Sequence, residues 1–295
     1  MVYCIPFNSE TVLKIDTSDD SISEVGSVSA DSNKWFGGVL GPNGMIYGSP
    51  YGSTTVLKIN PSDDSVATFG TVSGDSSKWA GMVLAPNDCI YGIPTNSETV
   101  LKIDTSDNDA ITTFGSLSGT SKWYGGVLAP NGMIYGIPSG ATTILKINPT
   151  NDTTSTFGTV SGSSKWYGGV LAPNGMIYGI PLGSATILKI DPTTDTVSTF
   201  GNVPGSVKWI SGVLAPDGMI YGIPRDSTAV LRIDPTTDTV STFGDLTGTV
   251  KWFGGVMAIN GCTYGAPFNS TSVLKIGTPI PIQSDFPLSR HWNKL

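Results

Sequence analysis

Residues Lys165–Phe200 read KWYGGVLAPNGMIYGIPLGSATILKIDPTTDTVSTF, and the fold is decided there. Four short apolar or β-branched runs stand between turn signals: Gly168–Ala172, Met176–Ile180, Ala185–Ile190 and Thr196–Phe200. Asn174–Gly175 divides the first two, and Asn-Gly takes positive φ so readily that it is the strongest short hairpin signal. The turn Asp191–Asp195 divides the last two, through a proline and Asx-type capping. We label the predicted strands A, B, C and D. No helical period runs through any of them.

The same unit recurs along the chain. Lys-Trp appears at Lys34–Trp35, Lys78–Trp79, Lys122–Trp123, Lys165–Trp166, Lys208–Trp209 and Lys251–Trp252, at spacings of 44, 44, 43, 43 and 43. Tyr-x-x-Pro recurs seven times, as does the V/I-L-K/R-I run of strand C. Four strands in about 43 residues match the blade of a β-propeller. A β-helix needs shorter coils, and a jelly roll does not repeat.

The segments GVLAPNGMIYGIP and ILKIDPTTDTVSTF make the unit resemble the NHL and YVTN propeller repeats, and loosely those of the virginiamycin B lyase family. The resemblance spans residues 1 to about 276. It implies an all-β propeller over 1–276 with an irregular tail over 277–295. It says little about activity, because propellers host many unrelated ones. Lyase relatives would imply histidine catalysis, and lactonase relatives a metal cage of Glu, Asp and Asn. The single histidine, His291, lies outside the repeats, and the inner strands offer Gly, Val, Leu, Met and Ala. Hence neither a catalytic set, a cofactor nor a metal is expected.

Counting strands leaves the ring ambiguous. There are seven B and seven C strands but six A and six D strands. A seven-bladed ring leaves the first blade without its inner strand. A six-bladed ring leaves residues 1–15 as a spare hairpin with two unpaired edges, which is unfavourable. Seven blades are therefore preferred. In the tail, Pro-Ile-Pro-Ile-Gln is either an edge strand or part of a frayed terminus.

Composition narrows the setting. Charged residues make up 13%, about half the usual share. A net charge of −7 and a pI near 4.6 argue against nucleic acid as a partner. Three cysteines without C-x-x-C spacing suggest neither a disulfide framework nor zinc. With no basic-then-apolar leader and no run of about 18 apolar residues, the expectation is a soluble protein without a membrane partner. The compartment stays open, because Met1 aligns with Met45, Met133, Met176 and Met219, so the chain's start looks truncated.

In an antiparallel meander the A–B and C–D turns share one face of the disc, and the B–C and D–A loops share the other. Fifteen of the 23 acidic residues fall on the first face. The six Lys-Trp lysines and Arg225 fall on the second, which predicts an acidic side and a basic-aromatic side. The Lys-Trp pairs (Lys34, Trp35, Lys78, Trp79, Lys122, Trp123, Lys165, Trp166, Lys208, Trp209, Lys251 and Trp252) are the candidate ligand site. Tryptophans could stack on sugar faces while lysines donate or hold a polyanion. The plainer alternative packs each tryptophan between blades, its N–H on a loop carbonyl. The B–C loops, beginning at Phe7, Tyr51, Thr95, Ser139, Leu182, Arg225 and Phe268, vary from copy to copy and form a second candidate set. The C–D aspartates read as turn caps, and the strand-C lysines as packed stems with solvated heads.

These features favour a non-enzymatic binding module, since near-identical units offer several equivalent weak sites. The expected partner is a carbohydrate, a polyanionic small molecule or a protein. A propeller enzyme and a plain assembly scaffold are the alternatives.

Overall fold

The computed structural model describes residues 1–74 and 76–277, and all its regular structure is β. Among the described residues, twenty-six strands form seven separate antiparallel sheets, each a meander of neighbours in sequence. Blade 1 holds β1 (Val2–Cys4), β2 (Val12–Ile15) and β3 (Ile22–Val25). Blades 2 to 6 hold four strands each. Blade 5 shows the pattern: β16 (Trp166–Leu171), β17 (Ile177–Pro181), β18 (Ile187–Asp191) and β19 (Thr196–Phe200). Blade 7 holds β24 (Trp252–Met257), β25 (Thr263–Pro267) and β26 (Leu274–Ile276). The six-bladed alternative fails, because β1–β3 form a sheet of their own and do not complete blade 7. The Pro-Ile-Pro-Ile-Gln run lies outside the described residues.

Strand A starts earlier than the sequence suggested. Each tryptophan is its first residue rather than the end of the preceding loop. Trp166 faces Pro181 across the ladder, and a bulge follows before Gly169 meets Gly179. Gly168, in the bulge, has φ +75°, and a Cβ there would lie 3.1 Å from Ser211 Cα of the next blade. Inner strands thus approach backbone to backbone around the axis, and glycine makes that approach possible.

The core lies between blades. One cluster joins Tyr135, Ile137 and Ile144 of blade 4 to Trp166, Ile177 and Leu188 of blade 5. Each blade buries its two faces against its neighbours, which explains the apolar runs of strands B and C. Closure uses the same device. Val2 and Ile15 of blade 1 pack on Ala258, Cys262 and Tyr264 of blade 7. Asn260 Nδ2 donates to the Thr17 carbonyl at 2.7 Å, so blades 7 and 1 join by packing and hydrogen bonds without a shared sheet.

Candidate functional site

The Lys-Trp pairs are interior. All six tryptophans are at most 5% exposed. Each indole N–H donates to a carbonyl twenty residues ahead, as Trp123 does to Thr143 and Trp166 to Thr186, both at 2.8 Å. The expectation of a tryptophan ring stacking on a ligand is therefore corrected. Trp35, Trp79, Trp123, Trp166, Trp209 and Trp252 are pillars between blades, with no face left for a sugar.

The lysines are just as deeply placed, none more than 5% exposed. Lys122 Nζ donates to the carbonyls of Thr95 and Ser97 at 3.0 Å and of Gly119 at 2.8 Å. Lys165 and Lys208 do the same with Ser139, Ala141 and Gly162, and with Leu182, Ser184 and Gly205. Lys251 reaches Ser227 and Gly248, Lys34 reaches Asp31, and Lys78 reaches Gly52. In the complete cages three carbonyls accept the three ammonium protons, which offsets part of the cost of burying a charge. Burial still lowers Lys122 to about 8. Each cage ties a D–A loop to the B–C loop of the preceding blade. Of the predicted basic face, the six Lys-Trp charges point inward, and Arg225 stays half-buried beside Phe253.

The strand-C lysines also depart from their expected role. Lys102 Nζ lies 2.6 Å from Asp152 Oδ2, and Tyr91 OH donates to Asp152 Oδ1 at 3.0 Å. Tyrosine and lysine come from one blade and the aspartate from the C–D turn of the next. The latch recurs as Tyr3–Lys14–Asp64, Tyr47–Lys58–Asp109, Tyr135–Lys146–Asp195 and Tyr178–Lys189–Asp238. Tyr264–Lys275–Asp20 closes the ring from blade 7 to blade 1. Every latch aspartate has positive φ and ends its turn, whereas the turn's first Asp or Asn does the capping, as Asp191 does for Thr193 N–H at 2.8 Å. Hydrogen bonds from Lys14 and Lys275 hold the Asp64 and Asp20 carboxyls below the usual range.

What remains at the mouth of the axis is aromatic. Two positions converge there: the residue after each tryptophan and the first residue of each B–C loop. Phe36 lies 5.5 Å from Tyr51 and 5.6 Å from Phe253, ring centre to ring centre. Phe253 and Phe268 are 4.9 Å apart, and Phe7 touches Phe36, Tyr51, Phe253 and Phe268 at 5.7–6.3 Å. Tyr124 and Tyr167 stack at 4.1 Å, and Tyr51 OH meets Tyr124 OH at 3.2 Å. The Arg225 guanidinium sits 5.7 Å from the Phe253 ring and bonds Asp226 Oδ2 at 3.0 Å. Phe7, Phe36, Tyr51, Tyr167, Phe253, Phe268 and Arg225 are half-buried, while Tyr124 is buried. Burial raises the phenol pKa of both Tyr124 and Tyr167, so both stay neutral.

Half of this cluster belongs to the B–C loop set read from sequence. The other half, Phe36, Tyr124, Tyr167 and Phe253, was missed. The available signal was the residue after Lys-Trp, which is Phe, Ala, Tyr, Tyr, Ile or Phe in the six copies. Farther out, a groove of about 630 Å³ beside Lys34 and Trp35 is lined by Ser27, Ser29, Ser53 and Thr68. A counterpart of about 500 Å³ lies beside Lys208 and Trp209. Among the described residues, no three of His, Cys, Asp and Glu gather as a metal site, and no helix is long and apolar enough to cross a membrane.

A family model described as a repeat of unknown function, DUF6923, matches residues 2–163 and again 126–281. The chain belongs to the DUF6923 repeat family. No curated protein matches it. Among solved structures, a streptogramin B lyase superposes with a TM-score of 0.77 at 14% identity, over 90% of this chain and 86% of that one. Virginiamycin B lyase from Staphylococcus aureus gives 0.70 at 12% identity, over 85% of each chain. A putative 6-phosphogluconolactonase from Bacteroides uniformis gives 0.69 at 17% identity, over 90% of this chain and 88% of that one. At such identities the shared property is the propeller fold, and the lyase resemblance read from the repeat holds at that level.

Proposed function

We propose that this DUF6923 protein is a non-enzymatic, lectin-like propeller that takes a carbohydrate on the aromatic mouth. The observation that carries the reading is the half-buried ring cluster of Phe7, Tyr51, Phe253 and Phe268, with Arg225 beside it. Sugar rings present apolar C–H faces that stack on aromatic side chains, and hydroxyls that suit a phenol or a guanidinium. A polyanionic small molecule loses its support, since the six Lys-Trp ammonium groups are directed into the protein. The enzymatic alternative, a lyase or lactonase, has a shared fold behind it and, among the described residues, no particular residue set.

A glycan array followed by calorimetry tests this. We expect saturable binding to a neutral glycan, weakened at least tenfold by Phe268→Ala and by Arg225→Ala. Absence of glycan binding together with turnover of a lactone or of virginiamycin B would replace this reading with the enzymatic one. Capture of a protein on the same patch, lost in Phe268→Ala, would replace carbohydrate as the ligand class.

A further inference from the structure

The aromatic mouth is lopsided. In blades 3, 4 and 5 the leading B–C residues Thr95, Ser139 and Leu182 are buried, and Thr95 Oγ1 donates to the Trp123 carbonyl at 3.0 Å. In blades 6, 7, 1 and 2 the same position holds Arg225, Phe268, Phe7 and Tyr51, all half-buried. Neighbours along this arc touch. The Arg225 guanidinium lies 5.7 Å from the Phe253 ring, and Phe253 lies 4.9 Å from Phe268. Phe268 lies 5.9 Å from Phe7, and Phe7 5.7 Å from Tyr51. Four consecutive blades thus lay one curved aromatic track across the mouth.

Each end of the arc runs into a polar groove. Gly52, next to Tyr51, lines the groove of about 630 Å³ on blade 2. Asp226, next to Arg225, lines the groove of about 500 Å³ on blade 6. Both grooves are built from the same parts, a D–A loop, a B–C loop and strand D, so both open on the face that carries the mouth. Their volumes fall in the range of small-ligand clefts, about 300–1,000 Å³. Ser29, Ser53 and Thr68 line the first, and Asn202, Thr228 and Thr242 the second. Hydroxyls and amides of this kind both donate and accept, as sugar hydroxyls do. The Asp226 carboxylate accepts from Arg225 Nη1 at 3.0 Å and from Val250 N–H at 2.5 Å. It therefore pins Arg225 at the junction of groove and track, and its charge is compensated there.

We propose that the ligand is a linear, neutral polysaccharide that crosses the mouth along this arc, its central sugars stacked on the rings and its flanks hydrogen-bonded in the two grooves. The inference rests on the carbohydrate reading of the mouth and adds the form of the ligand: a chain bound along its length rather than a single terminal sugar. The order of chemistries carries it. Rings at the centre suit the C–H faces of sugars, and hydroxyl-lined clefts at both ends suit the sugars that follow on either side. Joining three contact zones through one chain makes the second and third contacts intramolecular, so affinity climbs with chain length.

The full chain is titrated by calorimetry with cello-, malto-, laminari- and chito-oligosaccharides of one to eight sugars. In the series that binds, we expect the octasaccharide to exceed the disaccharide at least tenfold in affinity. Thr68→Arg and Thr242→Arg each place a long side chain in one groove from an exposed strand-D position. Each should weaken the octasaccharide about fivefold and leave the disaccharide unchanged, which also shows that the variant is folded. Thr199→Arg, at the same register position of blade 5, should change neither. Phe268→Ala should weaken both. Equal affinity for disaccharide and octasaccharide overturns this inference and leaves the mouth reading standing. So does an octasaccharide affinity untouched by both groove variants, or lowered as much by Thr199→Arg. Absence of binding in all four series overturns the mouth reading, and this inference with it.

Discussion

The Lys-Trp ring and the aromatic mouth sit a residue apart on the same strands, yet they behave in opposite ways. Lys122 and Trp123 repeat without change and are sealed between blades. The next position repeats in place but not in identity, and its Phe36, Tyr167 and Phe253 stay half-buried around the axis. The lesson is that, within one chain, what repeats is scaffold, because every blade must solve the same packing problem. The varying position is released from it only in part: Ala80, Tyr124 and Ile210 are buried there, whereas Phe36, Tyr167 and Phe253 keep a face that can meet a ligand.

The most direct way to break this contrast is to remove a pillar. Trp166→Ala should destabilise by about 3–5 kcal/mol, the usual cost of deleting a buried aromatic side chain, measured by urea unfolding. If it unfolded like wild type, the indole would not be structural. Next comes the cage: Lys122→Met keeps the stem and leaves three loop carbonyls without their donor. A loss of about 1–3 kcal/mol is expected by the same measurement. No loss would mean that water replaces the ammonium, and the pair would divide into a structural tryptophan and a dispensable lysine.

The smallest effect belongs to the latches. Asp152→Asn should cost about 0.5–1 kcal/mol, because the Asp152 side chain is 35% and that of Lys102 21% exposed, so that solvent screens the pair, and added salt should shrink the difference. Acid offers the same test for the Asp20 and Asp64 latches. The Asp20 and Asp64 carboxyls are lowered in the folded chain by their lysines. Their contribution is therefore present above the ordinary carboxylate pKa of about 4 and is lost as pH falls through the lowered values. A stability curve flat from neutral pH to below 3 would show that these two latches do not form in solution.

Much of the fold was legible before any coordinates. Asn174–Gly175 marked a hairpin, and strand D over Thr196–Phe200 matched residue for residue. The site was legible only in part. Phe7, Tyr51, Arg225 and Phe268 stood out as varying loop residues, but Phe36 and Tyr167 lay hidden inside a repeated motif. The lysines misled for a physical reason. A repeated charge beside a loop reads as solvated surface, and the carbonyls that enclose Lys122 stand 25 and 27 residues earlier as well as three residues before it. No local pattern announces such a cage.

By itself the sequence determined the repeat, the strands and the turns, because hydrophobic alternation and turn chemistry are local properties of the chain. Tertiary structure alone decided which charges face inward, which aspartate caps its turn and which one latches the next blade. It also decided that Phe36 of blade 2 and Phe253 of blade 7 meet. Those outcomes depend on closing seven sheets around one axis, which brings together residues that sequence distance keeps apart.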